Sequence, residues 1–238
     1  MEKLQYLCWL ALDKSAVDRR ELFLNEVTPA LLALAPRGLS MQIDDDASDV
    51  PVPLPAPADE PQPGALVSIW LDRYDDRAPY EEVLRSNSES IAGYIVTESL
   101  YTDYGGNQWS TPRDWENGER SPGVVMVTLL RKPAQMADED WFAHWHDVQS
   151  PVSEAMQPRT CYRRNSIARS ITPDAPELRG IVEEAWPSPE HITDPALFYN
   201  AGTPEEINAN LTVMLGSVTA FLDLNELRSF TTSEYLIL

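Results

Sequence analysis

Only two cysteines, Cys8 and Cys161, and three histidines, His144, His146 and His191, occur in 238 residues. Two thiols cannot build a disulfide framework, and the Cys/His spacing of a zinc site is missing. Both cysteines are expected as buried thiols in or beside strands. Positive charge is scarce too: 18 Lys and Arg stand against 38 Asp and Glu, a formal net charge of −20. A polyanion of this strength repels phosphate backbones and anionic lipid, so nucleic acid and membrane surfaces are not expected partners. No apolar run reaches the ~18 residues that a membrane-spanning helix needs. The start, Met1-Glu2-Lys3-Leu4, lacks the basic-then-apolar pattern of a secretory signal, so the expected compartment is the cytoplasm. Gly-rich phosphate loops, dinucleotide fingerprints and nucleophile elbows are lacking, and the expected cofactor is none.

What the chain does have is apolar bulk, 43% of residues, with 7 Trp, 9 Tyr and 5 Phe. That composition fits a globular protein with room for one large core or two small ones. It also has an internal repeat. Apolar runs from Leu4 to Leu12 and from Val124 to Leu130 open the two halves, and neither alternates, so each reads as a strand covered on both faces. Each run leads to an amphipathic helix. In the first, Ser15 and Asp18 suggest a capping box, and Val17, Phe23, Val27, Leu31 and Leu34 recur at helical spacing. In the second, the stripe is Trp141, Trp145, Val148, Val152 and Ala155. Both helices carry a hydroxyl residue before proline, Thr28-Pro29 and Ser150-Pro151, where a kink or a stop is expected.

The match continues with two seven-residue strand candidates, Gly64 to Trp70 and Gly180 to Trp186, which pair Val67 with Glu183. Thr97-Glu98-Ser99-Leu100 and Ser233-Glu234-Tyr235-Leu236 form a last pair. Each half then reads strand, helix, strand, strand, helix, strand, the ferredoxin-like order. Residues 1–104 form the first repeat, 105–121 a Gly/Pro/Asn-rich linker, and 122–238 the second repeat. The first half carries an acidic Asp44-Asp45-Asp46 and a proline-rich stretch over 51–63, expected as an extended, solvated hairpin insertion. The second half ends in a longer helix capped by Thr203, Pro204 and Glu206. A ferredoxin-like sheet has helices on one face only, so its other face needs a cover. The expected architecture is α+β: two tandem βαββαβ repeats whose flat faces pack on each other as an intramolecular pseudo-dimeric barrel. Pairing of two such pseudo-dimers into a homodimer is left open.

Residues 141–151, Trp-Phe-Ala-His-Trp-His-Asp-Val-Gln-Ser-Pro, resemble the EthD family. That family's helix carries an aromatic, three residues, Trp, two residues, then Val-His-x-Pro. Leu-Leu-Arg-Lys-Pro at 129–133 is similar to its strand end, and Gly180-Ile-Val-Glu183 to its third strand. Phe221 and Glu234 are similar to its last helix and last strand. The resemblance covers 122–238, and reaches 1–104 only through the repeat. It implies a dimeric α+β-barrel fold and a place in ether or aromatic catabolism. Barrel relatives include cofactor-free monooxygenases, muconolactone isomerases, polyketide cyclases and heme enzymes, and fold does not choose among them. One departure matters: the family's histidine two residues before proline is Gln149 here and Val27 in the first half.

Candidate site residues cluster in the second half. His144 and His146 flank Trp145, and an imidazole on a pocket-lining helix suits general acid–base chemistry. Two residues apart, they point roughly 200° from each other on an α-helix and cannot share one metal. Glu183 and Glu184 interrupt an apolar strand and face opposite ways. Glu183, which matches the family's acidic position, is the expected base, its pKa raised by desolvation. The plainer alternative is a salt bridge to Arg163, Arg164 or Arg169. Trp141, Trp145 and Trp186 are expected to line an aromatic pocket or to fill core, with Gln149 and Arg163 orienting substrate oxygen. The expected activity is cofactor-independent proton transfer, as in an isomerase, dehydratase or cyclase, on a small apolar oxygenated metabolite, aromatics included. A non-catalytic binding protein, or a monooxygenase or heme protein of the same barrel, is the alternative.

Overall fold

A computed structural model describes residues 1–11, 13–53, 57 and 60–238. Leu12, at the end of the first expected strand, and residues 54–56 and 58–59 of the proline-rich stretch lie outside it. Among the described residues the strands are β1 (Glu2–Trp9), β2 (Gly38–Ile43), β3 (Ala65–Leu71), β4 (Ser90–Thr102), β5 (Val124–Leu130), β6 (Cys161–Ser170), β7 (Gly180–Trp186) and β8 (Arg228–Leu236). They form one closed barrel in the order β1-β3-β2-β8-β5-β7-β6-β4, every pair antiparallel. The first half supplies the order β4-β1-β3-β2 and the second half the same order, β8-β5-β7-β6. The inner faces of the two halves share one core, and the halves also join edge to edge, through β2–β8 and β4–β6. Hydrogen bonding at both seams leaves no free sheet edge, and the two sheets curve around one shared interior.

The helices sit outside. In the first half, α1 (Ala16–Leu22) runs through a π turn over Phe23–Val27 into α2 (Thr28–Leu32), and α3 (Ala78–Ser86) follows β3. In the second, α4 (Asp138–Ala143) runs through a π turn over His144–Gln149 into α5 (Ser150–Met156). Short α6 (Glu190–Thr193) and α7 (Pro195–Phe198) precede the long α8 (Pro204–Thr219). Both expected capping boxes form, at Ser15 with Asp18 and at Thr203 with Glu206.

The twin prolines neither end nor sharply break their helices; each follows a π turn. Proline cannot donate the i→i−4 hydrogen bond, and its ring presses on the carbonyl four residues back. A widened turn just before it lets the helix continue. The backbone N–H of Thr28 bonds the carbonyl of Phe23, and that of Ser150 the carbonyl of Trp145, both five residues back. The extra residue rotates everything downstream, and this corrects the second expected stripe. Trp141 and Trp145 are buried, but Val148 is 41% exposed and Ala155 is exposed. Ser150 and Ser153 face inward instead.

Strand alternation divides the barrel wall. Leu7, Leu66, Ala92, Val125, Val127, Ile181 and Phe230 pack inside it. Toward one end the interior turns polar, with Lys3, Gln5, Gln42, Ser68, Arg163, Asn165, Glu183 and Glu234 all buried or nearly so. The supposed linker is tied to the barrel rather than free of it. Its residues 118–121 run beside β8, with Gly118 N–H on the Leu236 carbonyl and Ser121 N–H on that of Glu234, both at 2.8 Å. The acidic run is likewise partly internal: Asp45 is fully buried and accepts from Ser233 Oγ and the Tyr235 hydroxyl. Val50 and Val52 pack against Trp186 and Met126, so this end of the proline-rich insertion covers the second half instead of reaching into solvent. Cys8 and Cys161 are free and buried, and burial pushes both thiols up to about 12.

Candidate functional site

The two halves differ in what fills the space between sheet and helices. In the first, Phe23, Val27, Leu31 and Leu84 press on Leu4, Tyr6, Met41 and Val67, all at 0% exposure. In the second, α8 stands off from the sheet, and Met214 is its one buried residue. Between α8, the π turn and the outward faces of β5, β6, β7 and β8 lies a cavity of about 320 Å³. Its apolar wall includes Met126, Leu130, Trp145, Val182, Met214 and Phe221. Pro53, from the first half's insertion, and Phe198 and Tyr199 close one side.

A few polar groups interrupt this wall. Thr128 and Ser229 hydroxyls satisfy each other at 2.9 Å. Gln149, the last residue of the π turn, points its Nε2 at the Met214 sulfur, 3.2 Å away, while its buried Oε1 has no partner among the described residues. Glu184 on β7 accepts from Arg159 Nη1 at 2.5 Å, and Ser153 and Gln157 stand close along the chain on α5 and just past it. Arg159 is fully buried behind this group, with Nη2 on Ser153 Oγ and Glu154, and its guanidinium lies 4.0 Å over the Tyr162 ring. Burial opposes its charge, but Glu184, Tyr162 and Glu154 outweigh that and hold its pKa above the ordinary value.

Of the residues singled out in the sequence as site candidates, Trp145, Gln149 and Glu184 line this cavity. Trp141 lies behind Trp145, ring centroids 5.1 Å apart, as core. Trp186 stacks on Phe198 at 4.7 Å, one layer back from the wall. His144 donates from Nε2 to the Ser217 carbonyl of α8 at 2.9 Å and stacks on Phe221, so it fastens α8 rather than facing the cavity. His146 packs on Trp145 and Phe142. Burial, with Arg164 adding to it, lowers its pKa, so it is neutral near neutral pH.

Glu183 and Arg163 are on the other side of the sheet, inside the barrel. Glu183 accepts from Gln5, Gln42 and Asn165, each at 2.9 Å, with Lys3 Nζ 3.5 Å away. The expected upward pKa shift is corrected. Burial does push upward, but Lys3, Arg163 and the amide donors outweigh it and hold Glu183 below the usual carboxylate range. Its alternation partner, Glu184, is the one that reaches the cavity.

Gly180 explains how Trp145 gets so close to the sheet. A Cβ there would meet Trp145 Cη2 at 2.6 Å and Cζ3 at 2.9 Å. Gly180→Ala is therefore expected to push the indole into the cavity and cost about 1–3 kcal/mol of stability. Denaturant titration and a shift in tryptophan emission check both parts; unchanged values for both would refute the close packing.

Among the described residues no helix is long and apolar enough to cross a membrane, and no cluster of three His, Cys, Asp or Glu side chains is set to hold a metal. No protein-family model matches the chain, and no curated protein matches it. Solved structures do. An anthrone oxidase-like protein superposes with a TM-score of 0.57 at 14% identity, covering 98% of this chain and 90% of the other. A protein of Lactobacillus acidophilus NCFM carrying the name "putative monooxygenase" scores 0.49 at 11% identity, over 98% and 93%. A mutant chlorite dismutase of Candidatus Nitrospira defluvii scores 0.48 at 8% identity, over 98% and 90%. The likeness to the anthrone oxidase-like protein is one of fold, and the fold here is a mixed α+β chain on an eight-stranded antiparallel barrel.

Proposed function

We propose that the second-half cavity binds a small, largely apolar, oxygen-bearing organic molecule and acts on it by proton transfer without a cofactor. The observation that carries this reading is the 320 Å³ cavity, apolar over most of its wall and set with Gln149, Gln157 and Glu184. Apolar concave volume supplies binding, and a few convergent polar groups supply orientation. The Glu184 carboxylate takes a proton from a carbon made acidic by a neighbouring carbonyl. The Gln157 amide donates to the oxygen that gains charge, and the proton returns at a second position. The net change is an isomerisation, balanced without any co-reactant. Glu184 takes the role the sequence suggested for Glu183, because it is the carboxylate on the cavity side.

A second reading, a non-catalytic binding protein, is favoured by one specific observation: Arg159 already occupies one oxygen of Glu184. A heme does not fit here. Among the described residues neither His nor Cys is on the wall, and the Tyr162 hydroxyl is engaged with Ser150. The chain is further read as two fused copies of one ferredoxin-like unit, 1–104 and 122–238, the second with EthD kinship and the first without a working site. The equal strand order, the twin π turns with their Ser/Thr-Pro ends, and residues 141–151 support this. The two free, buried thiols suit a cytoplasmic protein.

Native mass spectrometry of the purified protein tests the main reading. A co-purifying neutral organic molecule, lost from a Val182→Trp variant that fills the cavity, is the expected result. A ligand retained by that folded variant would place binding elsewhere and overturn the proposal.

A further inference from the structure

We infer that the ligand of this cavity is a neutral molecule that presents a hydrogen-bond donor, such as a hydroxyl hydrogen, and that carboxylates are excluded. This rests on the cavity reading above and narrows it.

Three observations on the wall agree. Gln149 Oε1 is buried and unpartnered among the described residues, an acceptor waiting for a donor. Glu184 uses Oε1 for Arg159, and none of the described side chains donates to its Oε2. Gln157 is only 5% exposed, lines the cavity, and its carboxamide makes no hydrogen bond with the described residues. A buried acceptor without a partner is costly, so Gln149 Oε1 marks a place where a ligand supplies a donor. Glu184 Oε2 offers a ligand only an acceptor, Gln149 offers its unpartnered Oε1, and Gln157 offers both an acceptor and a donor.

Charge argues the same way. Glu184 is the only ionisable acid or base of the Asp, Glu, Lys, Arg and His type on the described wall. Its counter-ion is committed, since Arg159 also pairs with Glu154, which leaves two carboxylates for one guanidinium. An anionic ligand would therefore meet a carboxylate on a mostly apolar wall, with no free cation among the described lining residues to receive it. A site built to bond a hydrogen also rejects an analogue that lacks it, because its own groups then stay unpaired.

Three probes of equal ring size separate these effects: 2-naphthol, 2-methoxynaphthalene and 2-naphthoate, titrated calorimetrically at neutral pH. The naphthol is expected to bind at least about tenfold more tightly than either of the others, the equivalent of one lost hydrogen bond. In Glu184→Gln, which removes the wall's charge, 2-naphthoate is expected to gain about tenfold. If none of the three binds wild type, the cavity reading itself fails and this inference goes with it. If the ether or the carboxylate matches the naphthol, the cavity stands and the inference is overturned. A Glu184→Gln variant that leaves naphthoate binding unchanged overturns the charge argument.

Discussion

Arg163→Leu is expected to lower the free energy of unfolding by about 3–5 kcal/mol, the range for stripping a buried carboxylate of its partner. Arg163 Nη1 bonds Glu234 Oε1 at 2.5 Å inside the barrel, and Glu234 is completely enclosed. Tyr104 and Ser121 donate to the other Glu234 oxygen, both at 2.7 Å. Those hydroxyls hold the carboxylate in place but do not neutralise it. Without Arg163 the interior keeps Glu234, Glu183 and the part-buried Glu98 against Lys3 alone. The same arrangement fixes the pH dependence. Burial pushes both Glu183 and Glu234 upward, but Arg163, Lys3 and the surrounding donors win, and both folded pKa values lie below the ordinary range. A depressed folded value means that the stabilisation is present above the unfolded pKa, ~4.3 for Glu, and is lost as pH falls through the lower folded values. Acid unfolding of wild type should therefore steepen below about pH 4, and Glu183→Gln with Glu234→Gln should flatten that limb. Urea titrations across pH measure both. An Arg163→Leu protein within about 1 kcal/mol of wild type would show that the interior charges do not depend on one another.

This network also marks where the sequence stopped being readable. Strand ends came through well: β5 and β7 coincide with apolar runs whose limits are visible as Val124 to Leu130 and Gly180 to Trp186. Caps were legible because their chemistry is local, one side chain and one N–H three residues on. The π turns were not, since nothing in a 3.6-residue period announces a five-residue hydrogen bond. Ser/Thr-Pro marked the place without revealing the geometry. Missing the π turn sent Val148 inward on paper, while Gln149 keeps its place on the cavity wall.

The strand register slipped for a similar reason. Pairing Gly64 with Gly180 set Trp70 against Trp186, yet Trp70 lies under Lys3, 4.8 Å from its ammonium, and Trp186 faces the outer helices. A shift of one residue exchanges the two faces of a strand. Ser68, which bonds Gln5, shares the barrel-interior side with Glu183, and Val67 shares the helix side with Glu184. Alternation alone says that the two glutamates diverge, but not which one turns inward.

Glu184→Gln is expected to cost about 10²–10⁴-fold in turnover of the molecule recovered with the protein, the usual contribution of a general base. The exchange is nearly isosteric. The Gln carbonyl can still accept from Arg159, and Arg159 keeps Glu154, so the fold should persist with little change in stability. What is lost is the second oxygen's ability to take a proton. Affinity for the neutral ligand should stay within about tenfold, because an amide still offers one acceptor. The contrast is the test: a large fall in kcat with a small change in Kd assigns Glu184 to the chemical step. Full turnover in the variant would remove Glu184 from that step and with it the proton-transfer mechanism. A ligand that wild type releases unchanged would instead make the cavity a carrier, with the Arg159 pair serving to hold Glu184 as a fixed acceptor.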